Sequence, residues 1–208
     1  HASNSHATPQ NGIPKSDSFD PINPLDIACG DASATVNALK GLRLAQYCGI
    51  DLSQPALDLA GKALDTLGCP YDLKQCDFVT ELRSWSDPID VAWIGISLHH
   101  LRAPAKLALM AEIRRIVGDT GLFLIYEPAS PDSEDRDAWL NRWEHDNRLS
   151  WTALSTDEWD AMMTHVRAAD FPETTSQWQS LGREAGFSRV REVFVAPTDL
   201  FRMYCFQA

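Results

Sequence analysis

From residue 24 onward, short runs of apolar and β-branched residues alternate with segments of helical periodicity, and this alternation most limits the folds open to the chain. The runs at 25–29, 44–50, 73–76, 89–97 and 122–126 read as strands. Between them, 32–39 reads as a short helix. A longer helix spans 55–67, with Ser53 as N-cap and Gly68 at its C-terminal end, and 104–117 repeats the design with Leu107, Met110, Ile113, Ile116 and Val117 on one stripe. Strands and helices in short repeats build a parallel sheet covered on both faces. The unbroken apolar run from Val91 to Ile96 agrees, because a central parallel strand is buried on both sides.

The rhythm breaks after Glu127 and gives two helices with no strand between them. One, 137–148, carries Trp139, Leu140 and Trp143; the other, 156–169, opens on the capping pair Ser155 and Glu158 and carries Trp159, Met162, Met163 and Val166. A further helix at 176–185 opens on Thr174 and Gln177, and strands at 189–195 and 200–206 close the chain. The link at 196–199 is too short for a helical crossover, so these last two strands are expected to run antiparallel.

Composition narrows the function classes. The chain has 29 acidic and 18 basic side chains, a net charge of −11, and no basic cluster longer than Arg114-Arg115, so nucleic acid is not an expected partner. Its apolar runs fall far short of the ~18 residues that span a bilayer, and no membrane partner is expected. Residues 1–23, rich in Ser, Asn, Pro and Gly, read as a flexible lead without a secretion signal, which makes the cytoplasm the expected location. Five cysteines, odd in number and without a CxxC pair, suit reduced core thiols, and neither a disulfide framework nor a metal is expected.

Chemistry gathers at the strand ends. Asp26-Ile27-Ala28-Cys29-Gly30-Asp31-Ala32 lies where the first strand passes into a helix, a place that presents backbone NH groups to a ligand, and Gly30 permits close approach. The second strand ends at Asp51, placed to accept both hydroxyls of a ribose, and the third ends in Cys76-Asp77-Phe78. Together these imply an adenosine-bearing cofactor. Each acid also has a plainer reading, as a cap or turn residue.

Residues 25–32, 49–53, 76–78, the stretch Ile96-Ser97-Leu98-His99-His100-Leu101 and the closing antiparallel strand resemble the class I S-adenosylmethionine-dependent methyltransferases, small-molecule type, over nearly all of 24–208. The resemblance implies a single α/β domain at 24–208. Its sheet is Rossmann-like and mostly parallel, with helices on both faces, a closing antiparallel strand and a helical lid insert at 130–175. The family's glycine-rich turn here keeps only its middle glycine, with Ala28 and Ala32 at the flanking positions. The resemblance implies S-adenosylmethionine as cofactor, with Asp26 among the residues that bind it, Ala28, Cys29 and Gly30 at the methionine moiety and Asp51 on the ribose. It also puts Leu52 and Phe78 on the adenine, Asp77 at its amine and Ser97 beside the methionyl amine.

His99 and His100 follow the fourth strand, where methyl donor and acceptor meet, and a histidine there can take a proton from an attacking oxygen or nitrogen. The other reading is a strand-end packing role. Glu127 either binds or deprotonates the acceptor or caps the following turn. The insert holds Trp139, Trp143, Trp151 and Trp159 among many acids, which suits either an enclosure for an amine or other cationic acceptor or a lid with its own aromatic core. The expected reaction is methyl transfer to a small-molecule acceptor by in-line displacement, with a homodimer as one way to cover the site. The alternatives are a catalytically silent cofactor-binding scaffold and, less well supported, a nicotinamide-dependent oxidoreductase.

Overall fold

A computed structural model describes residues 20–208; residues 1–19 of the expected lead lie outside the described part. The elements run β1 (Pro24–Ile27), α1 (Ser33–Leu39), β2 (Tyr47–Asp51), α2 (Gln54–Leu64), β3 (Tyr71–Gln75), α3 (Phe78–Ser84), β4 (Val91–Gly95), α4 (Ala103–Val117), β5 (Leu122–Ser130), α5 (Arg136–Ser150), α6 (Thr156–Ala169), β6 (Glu173–Thr174), α7 (Thr175–Glu184), β7 (Arg189–Val195) and β8 (Phe201–Gln207). The sheet order is β3-β2-β1-β4-β5-β8-β7, with β6 pairing β5 off this path. β1 to β5 are parallel, while β8 runs antiparallel to both β5 and β7, as the short closing link requires.

Order reverses between β1 and β4, each of which has a neighbour on both sides. β1 is buried along its whole length because helices cover both faces of the sheet. The caps anticipated from the sequence form: Ser53 accepts from Ala56 N at the start of α2, and both capping boxes, Ser155 with Glu158 and Thr174 with Gln177, are complete. Close approach of α7 to β8 depends on Gly182, where an added Cβ would lie 2.5 Å from a Phe206 ring carbon.

Several boundaries differ from the sequence reading, for physical reasons. Ordered structure is already present at residues 22 and 23: Ile22 bridges to Leu44, and the Asn23 N–H donates to Asp90 Oδ2. β4 stops at Gly95 because Ile96 turns into the left-handed region, with φ 53°. β5 continues past Tyr126 to Ser130 and contains Pro128, which is tolerated because β4 pairs no further than Tyr126 and the proline faces only β8. α3, capped by Asp77, and the two-residue β6 are additional elements.

The insert has its own core of Trp139, Leu140, Trp143, Trp159, Met163 and Val166, closed below by Leu200 from the β7–β8 link. Three of its four tryptophans are therefore committed to packing, and Trp151 is the exposed one, edge-on to Trp143. The aromatic enclosure for an amine does not form from them. Burial of apolar area outweighs any partial exposure, since each such side chain contributes about 3 kcal/mol or more when packed. The insert is tied down at its root. Buried Lys106 of α4 donates to Phe171 O and to Glu173 Oε1, and Arg142 pairs with Glu134 while donating to the carbonyls of Thr198 and Asp199.

All five cysteines are free, as expected. No helix among the described residues is long and apolar enough to cross a membrane.

Candidate functional site

A cavity of about 300 Å³ opens at the carboxyl ends of β1 to β4, where the strand order reverses. It is lined by Ala28, Asp51, Leu52, Asp77, Phe78, Val79, Ser97, His100 and Leu101. Six of the nine residues expected to hold a cofactor thus meet in one place. Asp26, Cys29 and Gly30 are not among its lining.

The turn after β1 is strained and internally satisfied. Ala28 and Ala32 both adopt left-handed backbone, φ 57° and 55°, beside Gly30 at 55°. Such conformations cost an alanine roughly 1 kcal/mol each and persist where surrounding bonds enforce them. Here the Cys29 N–H donates to Ile50 O, the Gly30 N–H to Asp51 Oδ2, and the Ala32 N–H to Cys29 O. These three NH groups are consequently not offered to a ligand, which corrects the expectation of a turn presenting its NH groups. Asp51 is oriented by two donors, Gly30 N–H on Oδ2 and Ser53 N–H on Oδ1, both at 2.8 Å. A carboxylate has about four lone-pair sites, so it retains acceptor capacity toward the cavity. Asp77 accepts from Thr80 N–H and Oγ–H, both through Oδ1. Leu52, 64% exposed, and Ile96, 52% exposed, present apolar surface at this end of the sheet.

Asp26 lies beneath the turn and accepts from the Tyr47 hydroxyl at 2.7 Å. Burial pushes its carboxyl up to about 6, against the hydrogen bonds from Thr35 and Tyr47. Burial, then the nearby Asp26 and Asp51, pushes the Cys29 thiol up to about 12, so it is not a nucleophile near neutral pH. Because the folded-state value for Asp26 exceeds the ordinary value of 3.8, its favourable contribution is present in full below about pH 4 and is lost as pH rises through about 6. Two units correspond to about 3 kcal/mol as an upper figure. Asp26→Asn, which keeps an acceptor for Tyr47, is expected to be roughly 1–3 kcal/mol more stable than the native protein at pH 7.5 and no more stable at pH 4, measured by urea unfolding at both values. Equal stability at pH 7.5 would contradict this account of Asp26.

Beyond the cavity, Glu127 of β5, one residue past the last rung shared with β4, is fully buried and accepts four hydrogen bonds. Oε1 takes Ser97 N–H and Leu98 N–H at 2.9 Å; Oε2 takes His99 N–H at 3.2 Å and His99 Nδ1 at 2.8 Å. Its lone pairs are spent, which leaves it no role in binding an acceptor and makes it the clamp of the 97–99 turn. Since the carboxylate only accepts, Nδ1 of His99 carries a proton, and in the neutral ring the lone pair is then on Nε2. That Nε2 stands 3.7 Å from Asp170 Oδ1, and His100 Nδ1 stands 3.5 Å from the same oxygen. Phe171 N–H donates to His99 O, fastening the end of the insert directly over the histidines. Burial, then His99, holds the His100 imidazole below its ordinary value. Asp170 and Lys106 were not singled out by sequence reasoning. Asp170 is one acid among many in the insert, and only the path of α6 brings it to the histidines.

Residues 25–121 match the family model described as a methyltransferase domain. Among solved structures, the chain is similar to an O-methyltransferase family protein from Burkholderia thailandensis (TM-score 0.66, 17% identity, 89% of this chain and 50% of that one). It is also similar to the mitomycin 7-O-methyltransferase MmcR (0.62, 14%, 91% and 51%) and to the [4+2]-cyclase SpnF (0.56, 18%, 83% and 54%). It is 29% identical over 143 residues to polyprotein P1234 of Sagiyama virus, a match covering 67% of this chain and 5% of the polyprotein. The chain therefore spans about half the length of these solved structures and a small part of the polyprotein.

Proposed function

We propose that this chain, which has the class I S-adenosylmethionine-dependent methyltransferase fold and whose residues 25–121 match a methyltransferase-domain model, methylates a hydroxyl-bearing small molecule. The observation that supports this most is the single cavity into which Ala28, Asp51, Leu52, Asp77, Phe78 and Ser97 converge beside His100.

The donor set fits an adenosine-bearing cofactor. Asp51 has acceptor sites remaining for ribose hydroxyls, Asp77 has Oδ2 for an exocyclic amine, and Leu52 with Phe78 supplies apolar faces for a purine. When bound, S-adenosylmethionine supplies a sulfonium methyl group for in-line displacement. The chain's own residues then have to orient the acceptor and receive its proton. Glu127 positions His99 so that Nε2 is the basic atom, and the insert excludes water from the pair.

The first experiment is calorimetric titration with S-adenosylhomocysteine, with NADH in parallel. Binding near micromolar strength, about −8 kcal/mol, is expected for the first and none for the second. Preferential binding of NADH would overturn the reading in favour of an oxidoreductase. Binding without methyl transfer to any hydroxylated acceptor would favour the silent scaffold, a fold kept and its chemistry changed. His99→Ala is expected to lower kcat by about 10²- to 10⁴-fold while the affinity for S-adenosylhomocysteine holds. Unchanged kcat would leave orientation alone as the mechanism.

A further inference from the structure

We infer that His99, His100 and Asp170 form a binding site for one divalent first-row transition-metal ion. Sequence reasoning assigned no metal, because it looked for cysteine patterns, and these ligands come from two segments that only the fold brings together.

The first support is geometric. His99 Nε2 and His100 Nδ1 stand 3.7 and 3.5 Å from Asp170 Oδ1, and the three atoms lie within 4.8 Å of one another. Ligand atoms about 2.0–2.2 Å from a shared ion at tetrahedral angles are about 3.3–3.5 Å apart, so both distances to Asp170 Oδ1 are already near those that a shared ion requires. The second support is an orphaned atom. Asp170 is 7% exposed, and its Oδ1 has no hydrogen-bond partner. A buried carboxylate oxygen without a partner is costly, and a cation resolves the cost. Arg136 does not, because its Nε–H donates to the backbone carbonyl of Asp170.

The third support is the arrangement behind His99. A metal-bound histidine characteristically donates its other ring N–H to a carboxylate, which fixes the tautomer and ring angle. Glu127 does this for His99, aiming the Nε2 lone pair at Asp170 and His100. On His100, Nδ1 also stands 3.4 Å from Ala169 O, a contact that coordination would replace.

Two imidazoles and a carboxylate, with no thiolate, suit zinc, iron, manganese, cobalt or nickel. Three protein ligands leave at least one position open, as in metal sites that bind substrate. His100 also lines the cavity, which puts one of the three ligands beside the space where a small oxygen donor could enter. In this respect the inference deepens the methyl-transfer reading. With an ion bound, His99 is a ligand and the acceptor oxygen is acidified by coordination; without one, His99 is itself the base.

The test is titration of the chelator-dialysed full chain with Co²⁺, followed by its visible absorption, alongside Asp170→Asn and His100→Ala. One equivalent is expected to bind the native chain, with affinity lower by roughly 100-fold or more in each variant. S-adenosylhomocysteine titration of Asp170→Asn reports separately on the fold and the cofactor site. Absence of stoichiometric Co²⁺ binding would overturn the inference even if the cofactor binds. So would equal affinity in Asp170→Asn, since the ion would then belong to other histidines such as His1 and His6. Co²⁺ binding with no S-adenosylhomocysteine binding would sustain the metal site and sink the methyl-transfer reading.

Discussion

Replacing Asp51 by alanine is expected to weaken S-adenosylhomocysteine binding by about 2–4 kcal/mol, roughly 30- to 1,000-fold, with the fold retained. Hydrogen bonds to a charged acceptor contribute about 1.5–3 kcal/mol each, and two ribose hydroxyls would lose theirs, offset in part by water entering the gap. A second effect adds to the first. Asp51 also accepts from the Gly30 and Ser53 N–H groups, so its removal loosens the turn that carries the left-handed Ala28. Asp51 sits at the sheet edge and is only half-buried, so the change leaves no fully buried group unpaired. Asp51→Asn keeps an acceptor and is expected to lose only about 1 kcal/mol. Calorimetry on both variants, with thermal unfolding as the check on folding, decides the matter. Native-like affinity in a folded Asp51→Ala protein would remove Asp51 from the site.

Glu127→Ala is expected to be the most damaging single change to stability, by about 3–5 kcal/mol, or on the order of 10 °C in Tm. Four donors would be left facing a buried hole, three of them backbone N–H groups of one turn. That turn is already strained at Ile96, a β-branched residue at φ 53°, and besides Glu127 it is tied by the Ile96 N–H to Tyr126 O on β5 and by the Phe171 N–H to His99 O. Glu127→Gln offers one acceptor oxygen, and its amide nitrogen opposes a donor, so about half the loss is expected. A purely structural role would lower Tm and leave kcat of the folded fraction intact. A positioning role predicts that kcat of Glu127→Gln falls, and that adding His99→Ala costs little further, because both changes remove the same oriented lone pair. Additive losses in kcat would show that Glu127 does not act through His99.

What could be read in advance follows from how local each signal is. Asp51 and Asp77 announce themselves because a strand end and a cap are short-range patterns, and the two capping boxes mark α6 and α7 for the same reason. The parallel sheet and the antiparallel closing pair also follow from run lengths and link lengths. Ile96 could not be anticipated, since its conformation runs against the preference of a β-branched residue and is held by its own N–H to Tyr126 O and by Glu127 on the residues after it. Glu127 itself read equally well as an acceptor-binding group. Its burial, which decides the question, comes with the 97–99 turn folding onto its carboxylate. Alanine at positions 28 and 32 looked like a weakened glycine turn, yet both adopt the left-handed backbone all the same, because the hydrogen bonds around the turn outweigh a penalty of about 1 kcal/mol. The tryptophans of the insert were visible as a group, but whether they line a ligand or each other depends on the angle between α5 and α6.

The insert leaves the sheet and rejoins it at one place. Ala129 and Ser130 lie directly beside Glu173 and Thr174, so the chain departs and returns on neighbouring rungs. A segment rooted in this way can be exchanged as a unit, in the manner of an interchangeable cassette, provided that its replacement keeps the contacts to Leu200 and the β7–β8 link. Recombination or design could therefore exchange the part proposed to meet the acceptor, Asp170 included, while the residues around Asp51 and Asp77 pass on unaltered. In such a molecule the choice of acceptor and the choice of cofactor are inherited as separate traits.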